Sequence, residues 1–144
     1  MAKVREYLDM LEFYLENLKG IVSPLVKVED LTGDTSKFYA TQHLLQICIQ
    51  ILIDMALKIA SLRGLKTPKE YRDLADIFEK QGALTSEESK TFREMIGLRN
   101  LLVHIYPKVD PKIFFHRAKN EAERDLRMVA SKLARFAEKT ELHQ

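Results

Sequence analysis

Near the end of one stretch, FREMIGLRNLLVHIYP from Phe92, stand four residues of types that do chemistry: Arg99, Asn100, His104 and Tyr106. An imidazole takes or gives a proton near neutral pH. A guanidinium keeps its charge, and its planar fork matches oxyanions. Asn100 and His104 are four apart, so on a helix their side chains can touch. Arg99 and His104 are five apart, about 140° round a helix, and do not face each other well within one chain. Two arrangements would join them. The long arginine bridges the gap, or a two-fold dimer sets two such pairs about a shared groove. A plainer reading is a basic pair that complements the helix macrodipole and packs locally.

The rest of this stretch is unusual for a simple bundle helix. At about 100° per residue, Met95, Leu98, Leu101, Leu102 and Ile105 share one arc, which predicts the core face. The opposite arc holds Arg93, Gly97, Arg99, Asn100 and His104, with Ile96 and Val103 between them. A solvated face would carry Glu, Lys and Gln. This mixture predicts a protein interface with a polar cleft in it. Gly97 costs about 1 kcal/mol relative to alanine inside a helix. That cost predicts close approach by another backbone or by a ligand.

Five helical segments position these residues. The first runs from about Ala2 to Lys19, with Val4, Leu8, Leu11, Leu15 and Leu18 in one stripe and Gly20 after it. Residues 21–33, with Pro24, predict an irregular linker. The second segment, Thr35 to Arg63, is apolar on more than one face and predicts a central helix. The third opens at Thr67-Pro68 as N-cap and N1, carries Tyr71, Leu74, Ile77 and Phe78, and stops at Gly82. The fourth opens on Thr85 and Glu88 at capping-box spacing and runs to about Tyr106, before Pro107. The fifth opens at Asp110-Pro111, with a stripe through Phe115, Ala118, Ala122, Leu126, Val129, Leu133 and Phe136. Short connections favour antiparallel neighbours, so the expected architecture is all-α: a four-helix-type bundle with an additional short helix, residues 1–144 forming one domain.

Composition excludes several classes. With 144 residues and 46% hydrophobic residues, the chain can build a core without staples. The formal net charge is +2, too small for a globally basic nucleic-acid scaffold. Cys48 is the lone cysteine, which excludes a disulfide framework and a Cys-rich zinc site and reads as a small buried hydrophobe. His43 and His116 lack ligand-spaced partners, and His143 sits in the tail, so no metal and no cofactor are expected. No apolar run approaches the roughly 20 residues of a membrane span. Charges throughout MAKVREYLDMLEFY argue against a signal peptide, and the expectation is a soluble cytoplasmic protein without membrane contact. Residues 99–139 carry 10 basic against 5 acidic groups. Lys108, Lys112, Arg117, Lys119, Arg124 and Arg127 are candidates for a backbone-phosphate path, or equally for a solvated face.

The stretch RNLLVHIY resembles the R-x4-H-x-Y signature of HepT-like toxins in the HEPN superfamily, with Arg99, His104 and Tyr106 in the motif positions and Asn100 after the arginine. The flanks resemble the family too: ILIDMALKIASLRGLKTPKEYRDLADIF, EMIGLRN and VDPKIFF. The resemblance spans roughly residues 35–139. It implies a HEPN-type antiparallel bundle that forms a homodimer. It implies a metal-independent endoribonuclease acting on RNA, with Arg99 and His104 of both copies as the catalytic pair and Asn100 supporting. It also implies a cognate MntA-like nucleotidyltransferase antitoxin that silences the toxin by adenylylating Tyr106. Other HEPN proteins are non-catalytic binding subunits of minimal nucleotidyltransferases, which is the alternative the resemblance leaves open. A purely structural helical dimer is a third.

Overall fold

The structure is a computed structural model that describes residues 2–104 and 109–142. Ile105, Tyr106, Pro107, Lys108 and His143 lie outside the described residues. Among the described residues seven α-helices run in the order α1 (Ala2–Val22), α2 (Val28–Thr32), α3 (Thr35–Leu62), α4 (Asp73–Lys80), α5 (Ser86–His104), α6 (Pro111–His116) and α7 (Ala122–Leu142). A π turn, Arg117–Glu121, joins α6 to α7, and no strand occurs among the described residues. The expected all-α helical bundle is what forms.

The long central helix behaves as its breadth of apolar faces predicts. α3 packs on α1, α5 and α7 and buries Leu45, Cys48, Ile49, Leu52, Ile53, Met55, Ala56 and Ile59. By length and composition α3 is apolar enough to cross a membrane, contrary to the expectation that no stretch has that character. Yet 56% of its apolar window is buried inside the bundle, as in the core helix of a soluble protein. Desolvation there pushes the Cys48 thiol up to about 12, so it is a packing residue and not a thiolate.

Several boundaries differ from the sequence pattern, each for a local reason. Gly20 does not stop α1, which continues to Val22 with Gly20 facing open space. The linker contains α2, because the Asp30 carboxylate accepts the Val26 and Lys27 N–H groups at 2.9 and 3.0 Å and Leu31 is fully buried. Pro68 is not the first residue of a helix. Asp73 accepts the N–H groups of Lys69 and Glu70 through Oδ2 at 3.1 and 3.0 Å, folding that segment into turns, and α4 starts at Asp73. This lays Tyr71 and Arg72 over α5. The fifth segment is α6 and α7 with a π turn between them, where Ala122 N–H bonds the Arg117 carbonyl. A wide turn of this kind shifts the face presented to the core.

Two predicted caps form as written. Thr85 N–H donates to Glu88 Oε1 at 2.9 Å and Glu88 N–H donates to Thr85 Oγ1 at 3.2 Å. Asp110 accepts the Lys112 and Ile113 N–H groups ahead of Pro111 at N1.

α5 is rotated from its expected face: Met95 and Leu102 are buried as expected, and Phe92 and Ile96 join them in place of Leu98 and Leu101. Its buried residues are Ser89, Phe92, Met95, Ile96 and Leu102, while Leu101 is 42% exposed and Leu98 only half-buried. The helix is apolar on both sides, so periodicity alone does not choose. α3 and α4 both pack on it, and the buried Ser89 hydroxyl donates to the Ala75 carbonyl at 3.0 Å, fixing α4 against the Phe92–Ile96 side.

Candidate active site

The rotation of α5 turns Arg99 toward α3. Arg99 Nε donates to Gln50 Oε1 at 2.9 Å, and Arg99 Nη1 donates to Asn100 Oδ1 at 3.1 Å. Gln50 in turn donates through Nε2 to Asp54 Oδ1, one turn further along α3, at 2.8 Å. The guanidinium carbon lies 5.3 Å from the centre of the Tyr71 ring. Arg99, Asn100, Gln50 and Asp54 are all half-buried.

Arg99 and Asn100 are therefore brought together, and His104 is not joined to them within the chain. His104 is exposed in the last turn of α5, and among the described residues no hydrogen bond or ion pair holds it. Asn100 turns its oxygen to Arg99 instead of reaching His104. The arginine does not bridge to the imidazole either, because Gln50 holds its Nε. Of the two arrangements open from spacing, bridging within one chain is not the one seen.

Within the chain, the neighbour closest to Gly97 is the Arg72 side chain. A Cβ there would meet Arg72 Nη2 at 3.4 Å, an ordinary contact with the end of a flexible side chain. Within the protomer an alanine fits.

The expected basic path is largely consumed by local pairing. Arg127 holds Glu12, Glu16 and Glu123; Arg117 stands 3.9 Å from Glu94; Arg124 bonds Asp125 at 3.1 Å; Lys119 reaches the Ser23 carbonyl at 3.3 Å. Acidic residues on α1, α5 and α7 pair with the three arginines, while Lys112 stays exposed. His116 pairs with Asn120 and Glu121, and among the described residues no group of three or more His, Cys, Asp or Glu could hold a metal. Spacing within α5 could not reveal Gln50, Asp54, Tyr71 or Arg72. One signal was available: Gln50 and Asp54 are polar residues one turn apart in the middle of the most apolar helix.

The description "Ribonuclease HepT-like" belongs to the family model that matches residues 11–138. The chain is a member of the HepT-like ribonuclease family. It is 33% identical over 110 residues to the "tRNA nuclease HepT" of Aphanizomenon flos-aquae, covering 75% of this chain and 72% of the relative. It is 26% identical over 121 residues to the "mRNA nuclease HepT" of Shewanella oneidensis, covering 79% of this chain and 91% of that one. Its fold is similar to that of the tri-AMPylated HEPN toxin of Shewanella oneidensis, solved in complex with an MNT antitoxin, at a TM-score of 0.80 and 20% identity, covering 91% and 96% of the two chains. The resemblance to HepT-like HEPN proteins, the fold and the endoribonuclease class expected from the sequence are thus borne out.

Proposed function

We propose that residues 1–144 form one HEPN domain that is the toxin of a HepT/MntA-type pair, a cytoplasmic endoribonuclease working as a homodimer without a metal. Arg99 and His104 of both copies form the catalytic groups, and Asn100 supports Arg99. The observation that carries this reading is the separation within one chain: Arg99 is anchored on α3 while His104 stands exposed and, among the described residues, unheld. Two copies meeting along this face of α5 supply both groups to one cleft.

The chemistry follows from the groups. RNA brings its own nucleophile, the 2′-hydroxyl. A bond forms from its oxygen to the adjacent phosphorus, and the bond from phosphorus to the 5′ oxygen breaks. The products are a 2′,3′-cyclic phosphate and a 5′-hydroxyl. One imidazole takes the 2′ proton and another gives a proton to the leaving oxygen, roles the two copies of His104 divide. The negative charge gathering on the phosphoryl oxygens is met by Arg99, whose N–H groups not used by Gln50 and Asn100 lie on Nη1 and Nη2.

Tyr106 is the proposed modification site for an MntA-like nucleotidyltransferase antitoxin. An AMP group two residues beyond His104 would bring bulk and a phosphate to the cleft and offset the arginine's charge. The AMPylated state and MNT partner of the Shewanella neighbour support this reading.

The test compares wild type with Arg99→Ala and His104→Ala on total bacterial RNA, with and without EDTA. Cleavage by wild type that survives chelation, and its loss in both dimeric variants, is expected. Intact RNA with folded wild type would sink the ribonuclease reading in favour of a nucleotidyltransferase-binding subunit. Intact mass after co-expression with the antitoxin tests Tyr106, by a gain of whole AMP units that Tyr106→Phe removes.

A further inference from the structure

We infer that Gln50 and Asp54 of α3 are positioning residues for Arg99, an inference that rests on the ribonuclease reading above. The side chains form a chain of hydrogen bonds from carboxylate to amide to guanidinium: Asp54 Oδ1 to Gln50 Nε2 at 2.8 Å, then Gln50 Oε1 to Arg99 Nε at 2.9 Å.

A glutamine amide is two-faced, with an oxygen acceptor on one side and an NH2 donor on the other. Left to itself it can flip. Asp54, which only accepts when ionised, takes the NH2 side and turns the oxygen to Arg99. Without that acceptor a flipped amide would set donor against donor at Arg99 Nε. Asp54 therefore acts on Arg99 through Gln50, and Gln50 acts on it directly.

Putting an amide between the acid and the arginine keeps the charge available. A carboxylate directly on Arg99 would fix it equally well, and would cancel the charge a phosphoryl group needs. Elsewhere on this surface the direct solution is used: Arg93 with Asp76, Arg124 with Asp125, and Arg127 with three glutamates. Tyr71 completes the arrangement, its ring 5.3 Å from the guanidinium carbon. The Arg99 plane is thus bounded by an aromatic face, while among the described residues Asn100 takes only one of the N–H groups on its Nη1 and Nη2 side. Packing alone does not call for this pair. Apolar residues of similar size would fill a half-buried site in the most apolar helix without desolvating an amide and a carboxylate.

The experiment measures initial rates of cleavage of total bacterial RNA over a range of RNA concentration, using the full chain and its variants Gln50→Leu, Asp54→Ala, Asp54→Asn and the Gln50→Leu/Asp54→Ala double. Each variant's folded state is checked by circular dichroism. Gln50→Leu is expected to lower kcat by about 10- to 100-fold with KM changed by less than about threefold, the range for a group that orients a reacting one. Asp54→Ala is expected to lose a large part of the same factor, and Asp54→Asn, which keeps an oxygen acceptor, to recover most of what Asp54→Ala loses. The double variant is expected to be no slower than Gln50→Leu alone, because both changes act through one contact. Wild-type kcat in folded Gln50→Leu would overturn the inference, as would full additivity in the double. So would equal losses in Asp54→Asn and Asp54→Ala. If Gln50→Leu does not fold, the Asp54→Ala and Asp54→Asn pair decides. If folded wild type leaves RNA intact, it is the ribonuclease reading that fails. If wild type cleaves and Gln50→Leu cleaves equally well, the positioning inference fails alone.

Discussion

Arg127 on α7 and Arg99 on α5 are both partly exposed guanidinium groups, and they are held by different chemistry. Arg127 lies against the carboxylates of Glu12 and Glu16 from α1 and of Glu123 from its own helix. Its hydrogen bond to Glu12 raises its own pKa and, in return, holds the Glu12 carboxyl below the ordinary glutamate value of 4.5. Arg99 touches two neutral amides and an aromatic ring, with the nearest carboxylate in its network one amide away. The first arrangement neutralises a charge to tie two helices together. The second fixes a charge in space and leaves it uncompensated. In one small bundle the same side chain is held in two ways, and on the reading proposed above only the second leaves the charge free for a phosphoryl group.

The widest gap between the two regions is expected in RNA cleavage. Arg99→Ala should reduce the cleavage rate by about 100- to 1000-fold, the loss typical of removing one preorganised charge donor. The unfolding midpoint should move little, and native mass should report the same assembly as wild type, a dimer on the reading proposed above. A comparable loss in Arg127→Met would erase the distinction.

Gln50→Glu should convert the Arg99 site into an Arg127-like one. The acceptor for Nε remains, but a carboxylate now stands against the guanidinium. Cleavage at limiting RNA should fall by about 10-fold or more, while thermal stability holds or rises. Unchanged cleavage would mean that the neutrality of the amide has no role.

Arg127→Met should retain cleavage and lower the unfolding midpoint by no more than about 2–4 °C, because exposed ion pairs contribute little. Differential scanning calorimetry measures this directly.

The smallest effect is on the pH dependence of that shift. The folded pKa of Glu12 is depressed below 4.5, so its contribution is fully present above that value and is lost as pH falls through the folded pKa. The midpoint difference between wild type and Arg127→Met should be constant near neutral pH and close below about pH 4.5. A gap that widens on acidification would contradict the assignment of the clamp to carboxylates.

Much of the scaffold is legible from local signals. The Thr85–Glu88 box and the Asp110-Pro111 start are satisfied within a few residues of chain, so their types and spacing suffice. Arg99, Asn100 and His104 are legible as types on one helix for the same reason. The α4 start is less so, because Asp73 competes with Thr67-Pro68 for the same backbone donors and wins at a distance that a cap rule does not rank. The buried face of α5 is ambiguous because both of its sides are apolar, and what decides between them is the arrival of α4 on one side and α3 on the other.

From the sequence by itself come the all-α class, the central place of α3, the capped helix starts and the presence of Arg99, Asn100 and His104 on one helix, because each depends on periodicity or on contacts a turn or two apart. Tertiary structure alone decided where those side chains point. The Arg99 to Gln50 bond joins residues 49 apart in the chain, and the Tyr71 ring comes from the turns before α4. Such contacts depend on how helices rotate against one another, and the hydrophobic effect that packs them is non-directional, so residue pattern leaves that rotation open until the neighbours are in place.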